Sequence, residues 1–359
     1  MAEIWRAGGS NTGFSHEAAR AVEAEGWQGQ MFMDSQSLSA DPWVQMGAWA
    51  AATQRLCLSP GVTNPLTRNL AVTATSAATV QAISGGRAVL GIGRGDSALA
   101  YLGHAPVTLA RFRQGLEVLQ SLLSGGAVDF SALNEGVEAP GSQSLSLGDR
   151  PGETRLKWLA QGLPKVPLDV AATGPKVIAM AAPLAERVTF SVGAMPERID
   201  WALDLAGKAR TAAGLPVEGC SYGAQVVVVC TPDADEALHW ATAMCQPLAR
   251  FQVIQGEAAG PLGEGDESSL KAIRRSYDMN RHADLHGGTR LVDEAPLSPD
   301  FVRRFAVVGP PEHCFERLSG LLARGLSRLV VVGPGFYPPH WGEAQGLFVR
   351  EVLPALCSV

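Results

Sequence analysis

Four short segments combine glycine with polar or charged residues in spacings suited to binding a small molecule. They are Gly61-Val62-Thr63-Asn64-Pro65, Gly91-Ile92-Gly93-Arg94-Gly95-Asp96, Ala172-Thr173-Gly174-Pro175-Lys176 and Ser191-Val192-Gly193. Glycine lets backbone approach a flat ligand closely, and turn N–H groups bind anionic oxygens. The Gly91 segment follows an apolar run and invites a dinucleotide-binding reading, as in a NAD-dependent Rossmann dehydrogenase. Its spacing is GxGxG, not GxGxxG, and no acidic residue closes a later strand at the expected distance. Thr173-Gly174-Pro175-Lys176 is the better phosphate candidate: glycine turns the chain, proline opens a helix, and Lys176 adds charge. A capped helix with nothing bound has the same spacing. His282 and His286 lie four apart near Tyr277 and Asp278. No HExxH motif or third ligand accompanies them, so no metal is expected. A packed or solvated pair is the simpler reading, and His282 is the candidate general acid. No GxSxG motif appears, and covalent hydrolysis has no support.

The elements that must position these residues alternate. Strands are expected near residues 4–7, 30–34, 55–60, 88–92, 168–172, 188–192, 222–230 and 327–332. Helices are expected over 16–25, 42–53, 70–83, 107–123, 176–182, 196–213, 311–323 and 342–356. Apolar strands separated by helices are the pattern of a parallel sheet buried on both faces. Eight of them predict an α/β chain folded as one (β/α)8 TIM barrel over residues 1–359, in preference to two Rossmann halves. Residues 125–161 form a Gly/Ser-rich excursion, and residues 231–300 an insertion after the seventh strand. In such a barrel the chemistry sits at the C-terminal strand ends, where every segment named above falls.

Composition narrows the function classes. A net charge of −6 gives no bulk attraction for nucleic acid or anionic lipid. No apolar stretch reaches the ~18 residues of a membrane span. The six cysteines show no CxxC spacing and read as buried thiols. With no basic-then-apolar leader visible, a cytoplasmic location is expected. The partner expected is a small-molecule substrate, with neither nucleic acid nor membrane.

The runs Gly61-Val62-Thr63-Asn64-Pro65-Leu66-Thr67-Arg68 and Ser84-Gly85-Gly86-Arg87-Ala88-Val89-Leu90-Gly91-Ile92-Gly93-Arg94-Gly95-Asp96-Ser97 resemble the luciferase-like flavin-dependent oxidoreductases. So do Ala171-Ala172-Thr173-Gly174-Pro175-Lys176 and Val307-Val308-Gly309-Pro310-Pro311-Glu312. The branch most similar is the methylenetetrahydromethanopterin-reductase-like group. The resemblance implies FMN, used with O2 in a monooxygenase, or the deazaflavin coenzyme F-420, used in a reductase or dehydrogenase. It implies a cis peptide at Gly61–Val62 under the central ring, Asp34 near the pyrimidine end and Asn64 beside the ring. Thr63 follows in the same segment, and Gly91 and Gly93 match a close backbone approach. Thr173, Gly174, Lys176, Ser191 and Gly193, with Ala172, Pro175 and Val192 among them, lie where the family holds the phosphate and tail. Substrate contacts are expected from residues 11–14, 35–38 and around Tyr277–His286. A homodimer and a separate flavin or deazaflavin reductase are also implied. Where the family often has Gly-Pro-Gly-Asp, this chain has Gly93-Arg94-Gly95-Asp96, which fits either cofactor tail. A barrel that keeps the fold and has lost the chemistry is the alternative.

Overall fold

Period-two alternation splits each barrel strand between two apolar environments, and this sorts the core. The computed structural model describes residues 2–11, 15–134, 140–144, 146, 148–282, 297–335 and 342–359. Its strands are β1 (Glu3–Gly8), β2 (Gly29–Phe32), β3 (Cys57–Pro60), β4 (Leu90–Ile92), β5 (Leu168–Ala172), β6 (Arg187–Phe190), β7 (Ser221–Cys230) and β8 (Arg328–Gly335). They pair in parallel in the order β3-β2-β1-β8-β7-β6-β5-β4. The seam between β3 and β4 closes through isolated bridges at Leu58–Ala88 and Thr63–Ile92. Leu58 N donates to Arg87 O at 3.0 Å, and Thr63 N to Gly91 O at 3.0 Å. This is the expected (β/α)8 barrel.

Ile4, Phe32, Leu58, Leu90, Val170, Val188 and Leu329 pack outward against the helices. Trp5, Ala7, Met31, Val89, Val227, Val330 and Val332 belong to a separate cluster that fills the lumen. Gly29 leaves the space that the Trp5 indole occupies; a Cβ there would lie 2.3 Å from the ring. The lumen floor is charged. Asp169 on β5 accepts from Thr189 Oγ1 at 2.8 Å and lies 2.9 Å from Arg328 Nη2. Arg187 pairs with Glu3 at 2.5 Å and covers the Trp5 ring at 5.2 Å. Burial pulls the Arg328 guanidinium below its ordinary value, and Asp169 opposes this. Burial pushes the Glu3 carboxyl up, but Arg187 outweighs it and holds Glu3 below the usual carboxylate value.

Helix boundaries follow local chemistry. Asp41, Asn69 and Thr108 cap the Pro42–Ala52, Leu70–Ser84 and Leu109–Leu123 helices, each accepting a first-turn N–H. Gly85 ends the second of these at φ +66°, the left-handed stop its sequence announces. Arg87 then ties the start of the β4 segment to the helix before β3, donating to Ala50, Thr53 and Leu56 carbonyls.

Several elements differ from expectation. Residues 125–161 include a short antiparallel pair, Val128–Asp129 with Glu153–Thr154. The insertion after β7 carries helices Ala234–Phe251, Asp266–Ser276 and Pro299–Phe305, and ends in an unexpected strand, Val307–Gly309, paired with β7. Three residues before a proline are too short to show a period. The closing helix breaks into a wide π turn at Phe348–Val352; Pro354 lacks the N–H that an α-helix would use there. His286 and Thr12–Phe14 lie outside the described residues.

Candidate active site at the C-terminal mouth of the barrel

The loops after β2, β3, β4, β5 and β6 bring the expected site residues to one end of the barrel. Asp34, just past β2, is buried and paired with Arg68 Nη1 at 2.6 Å, while Arg68 Nη2 reaches Asp41 at 2.8 Å. Burial alone would pull the Arg68 guanidinium down; Asp34 and Asp41 outweigh it and hold it above its ordinary value. Ser35 Oγ lies 3.4 Å from Ser97 Oγ, and Gln36 donates to Ala98 O, so the loop after β2 is fastened to the one after β4.

Beyond β3 the Gly61–Val62 peptide is cis. Asn64 Oδ1 accepts from Leu66 N and Thr67 N at 3.0 Å each, which fixes the turn. Asn64 Nδ2 and Thr63 Oγ1 are buried with no partner among the described residues. An unmatched buried polar group costs roughly 1–3 kcal/mol. Both residues are almost fully buried, so their side chains belong to the wall behind the mouth and not to its open lining.

The glycines divide into two kinds. A Cβ at Gly91 would meet Pro60 O at 2.1 Å and Ser59 Oγ at 2.7 Å, one at Gly61 would meet Met31 Cβ at 2.7 Å, and one at Gly93 would meet Val62 Cγ2 at 3.0 Å. Gly193 has φ +81°, and its Cβ position is closed by the Phe305 ring at 2.5 Å. These four are glycine because protein packs against them. Their neighbourhood also spends its N–H groups internally: Gly61 N donates to Phe32 O, Gly91 N to Ser59 Oγ, and Gly93 N to Thr63 O. The expectation that such N–H groups stand free for anionic oxygens fails at these three positions, because pairing with β2 consumes the one at Gly61 and the β3–β4 seam those at Gly91 and Gly93. Gly9 and Gly174, in contrast, border open space, with nothing within 4 Å of a Cβ. Lys176 is exposed beside Gly174 and forms no ion pair among the described residues. Ala172 and Val192 point into the core behind the strands and offer only backbone to the mouth. Pro175 opens the Pro175–Ala181 helix as expected. Ser191 Oγ is 3.0 Å from Gln225 Oε1.

The insertion is anchored to this mouth through several contacts. Gln252 donates to Ser191 O at 2.5 Å and is itself held by the buried Arg198 at 2.7 Å. Arg250 pairs with Asp96 after β4, and Tyr101 Oη donates to Met279 O at 2.9 Å. His282 Nδ1 hydrogen-bonds Tyr277 Oη. Burial lowers the His282 pKa below its ordinary value; Asp96 opposes this and Arg250 assists it. Asp96, Arg250 and Arg68 join the site only through tertiary ion pairs. Arg68 lies within the quoted Gly61 run, but the Arg250–Asp96 pair spans 154 positions and leaves no local signal.

Among the described residues, no helix is long and apolar enough to cross a membrane, and no group of three or more His, Cys, Asp or Glu is placed to hold a metal. The described cysteines are all free thiols.

Residues 6–328 match the family model described as luciferase-like monooxygenase. The chain is 27% identical over 319 residues to a 5,10-methylenetetrahydromethanopterin reductase of Archaeoglobus fulgidus, covering 86% of this chain and 85% of the relative. It is 30% identical over 335 residues to an F-420-dependent glucose-6-phosphate dehydrogenase of Beutenbergia cavernae, covering 89% and 83%. Among solved structures it superposes on the coenzyme F-420-dependent tetrahydromethanopterin reductase of Methanopyrus kandleri with a TM-score of 0.72 at 20% identity, over 99% of both chains.

Proposed function

The chain belongs to the luciferase-like monooxygenase family, and from that membership we propose that it is an oxidoreductase that works with coenzyme F-420 on a small organic substrate. The observation that carries this reading is the open space at Gly174 beside the exposed Lys176, at the strand ends of a barrel whose family model matches residues 6–328. Two curated relatives matched over more than four-fifths of the chain, one a methylenetetrahydromethanopterin reductase and one F-420-dependent, support the choice of deazaflavin. When bound, that cofactor supplies hydride transfer to or from a substrate carbon.

The chain's own residues supply the rest. Asp34, held by Arg68, presents a fixed carboxylate at the pyrimidine end. Thr63 and Asn64, almost fully buried, would shape the segment that supports the ring, together with backbone at Gly61, Val62, Gly91 and Gly93. Thr173, Gly174, Pro175 and Lys176 take the phosphate-bearing tail, where Gly174 leaves open space and Lys176 adds an unspent cation. Ser191 and Gly193 border the tail, with Ala172 and Val192 contributing backbone alone. His282 handles the proton that accompanies hydride. Its lowered pKa leaves it uncharged at neutral pH, and once charged it gives a proton readily. A separate reductase or dehydrogenase partner regenerates the cofactor.

Titration with F-420, followed by its fluorescence, is expected to saturate at one site per chain, with no O2 uptake by the reduced complex. Saturation by FMN with O2 uptake would replace this reading with a monooxygenase, which the family's description favours. Failure to bind either cofactor would favour a barrel without redox chemistry.

A homodimer is part of the same proposal. The adjacent Pro42–Ala52 and Leu70–Ser84 helices contain no charged residue, yet Val44, Val72 and Ile83 are 64%, 54% and 48% exposed. Charge-free apolar faces of this kind mark interaction surfaces. Val72→Asp combined with Ile83→Lys is expected to halve the mass seen by light scattering while the circular dichroism spectrum stays the same. A monomeric wild-type chain would remove the dimer.

A further inference from the structure

Four side chains from three separate elements meet where the insertion crosses the loop after β4. Asp96 lies in that loop, Arg250 on the Ala234–Phe251 helix, Tyr277 just past the Asp266–Ser276 helix, and His282 five residues on. Arg250 pairs with Asp96, and its guanidinium sits 4.7 Å from the centre of the Tyr277 ring. The Tyr277 and His282 rings stand 6.0 Å apart at 61°, joined Oη to Nδ1.

We infer that Tyr277 is a positioning residue that donates its hydroxyl proton to His282 Nδ1 and so fixes the Nε2–H tautomer, with Arg250, clamped by Asp96, holding Tyr277 in place. The direction of the hydrogen bond follows from donor inventory. Arginine can only donate, so the Arg250 guanidinium, which lies over the Tyr277 ring and pairs with Asp96, cannot accept the proton of the Tyr277 hydroxyl. That proton has no other acceptor among the described residues than His282 Nδ1. A neutral imidazole protonated at Nε2 has Nδ1 free to accept, which completes the match.

The charge environment agrees. The charged and titratable groups that act on the pair are Arg250, Asp96 and Tyr101, with Asp278 and Arg281 adjacent in sequence. Asp278 turns inward on its own segment, accepting from Asn280 N and Nδ2. Burial raises the Tyr277 hydroxyl well above the ordinary phenol value, so it remains a donor throughout the physiological range. Burial likewise keeps His282 neutral. The consequence for the site is specific: Nε2–H is the group left to donate a hydrogen bond to substrate. The pair therefore gives the proposed proton role one defined atom, and in that respect the inference rests on the oxidoreductase reading.

The test is nitrogen NMR of the full chain labelled at histidine, with His282 assigned by comparison with His282→Gln. In wild type at pH 7, Nδ1 is expected to show the shift of an unprotonated nitrogen and Nε2 that of a protonated one, with titration below the ordinary histidine value. Tyr277→Phe removes the donor to the neutral form. It is expected to return His282 towards a mixed tautomer and to raise its pKa by at least half a unit. A protonated Nδ1 in wild type overturns the assignment, and so does a His282 signal indifferent to Tyr277→Phe. The wild-type shifts decide the matter even if the variant fails to fold. F-420 titration of wild type tests the cofactor reading separately; its failure would leave the tautomer result standing.

Discussion

Asp169→Ala is expected to lower the unfolding free energy by about 3–5 kcal/mol, the usual cost of removing one member of a buried ion pair. The reason lies in Arg328, which is fully buried in the barrel floor. Its nearest carboxylate is Asp169, at 2.9 Å, and Arg187 stands close by with the same charge. Removing Asp169 leaves two guanidinium groups facing each other with only Glu3 to balance them, and strips Thr189 of its acceptor. The measurement is the urea midpoint, with the slope checked for two-state behaviour. Replacing both partners, Asp169→Leu with Arg328→Met, is expected to recover most of the loss, because the desolvation cost of the pair disappears with it. An unchanged midpoint in the single variant would show that the floor charges do not depend on one another.

The second large effect separates glycines that serve the barrel from glycines that serve a ligand. Gly91→Ala drives a methyl group onto Pro60 O, a backbone atom on the neighbouring strand that has no room to move. The seam between β3 and β4 has few ladder hydrogen bonds, and Gly91 N contributes one of its fastenings through Ser59 Oγ. Overpacking of this kind costs about 1–3 kcal/mol or more, so a marked fall in melting temperature is expected. Gly174→Ala meets nothing within 4 Å, and φ there is −98°, open to any residue. Its stability is expected to change by less than about 1 kcal/mol, in line with other substitutions away from packed features. Its F-420 affinity is expected to fall at least tenfold, because the methyl group enters the space assigned to the tail. Equal stability losses in the two variants would cancel the distinction, and unaltered cofactor affinity in Gly174→Ala would move the tail elsewhere.

Much of this architecture is written locally. Apolar runs such as Val226–Val229 and Leu329–Val332 declare buried strands, and Ser84-Gly85-Gly86 declares a helix stop, because strand burial and left-handed backbone are demands that one short segment meets alone. Eight strands alternating with helices specify the barrel, and the strand-end segments specify its mouth. The same chemistry made glycine at 61, 91, 93 and 193 conspicuous in the sequence without revealing what it was for.

Tertiary structure decided that. A missing side chain looks the same in sequence whether a neighbouring strand, an aromatic ring or a ligand fills its place. Only the fold shows Pro60 against Gly91, Phe305 against Gly193 and open space at Gly174. Ion pairs follow the same logic. The Arg328–Asp169 pair in the floor and the Arg250–Asp96 clamp at the mouth join residues far apart along the chain, so no spacing rule announces them. Strand periods and turn residues are short-range physics, which a sequence displays openly. The partner of a buried charge, or the occupant of a glycine's empty space, is chosen by how distant segments close around one another.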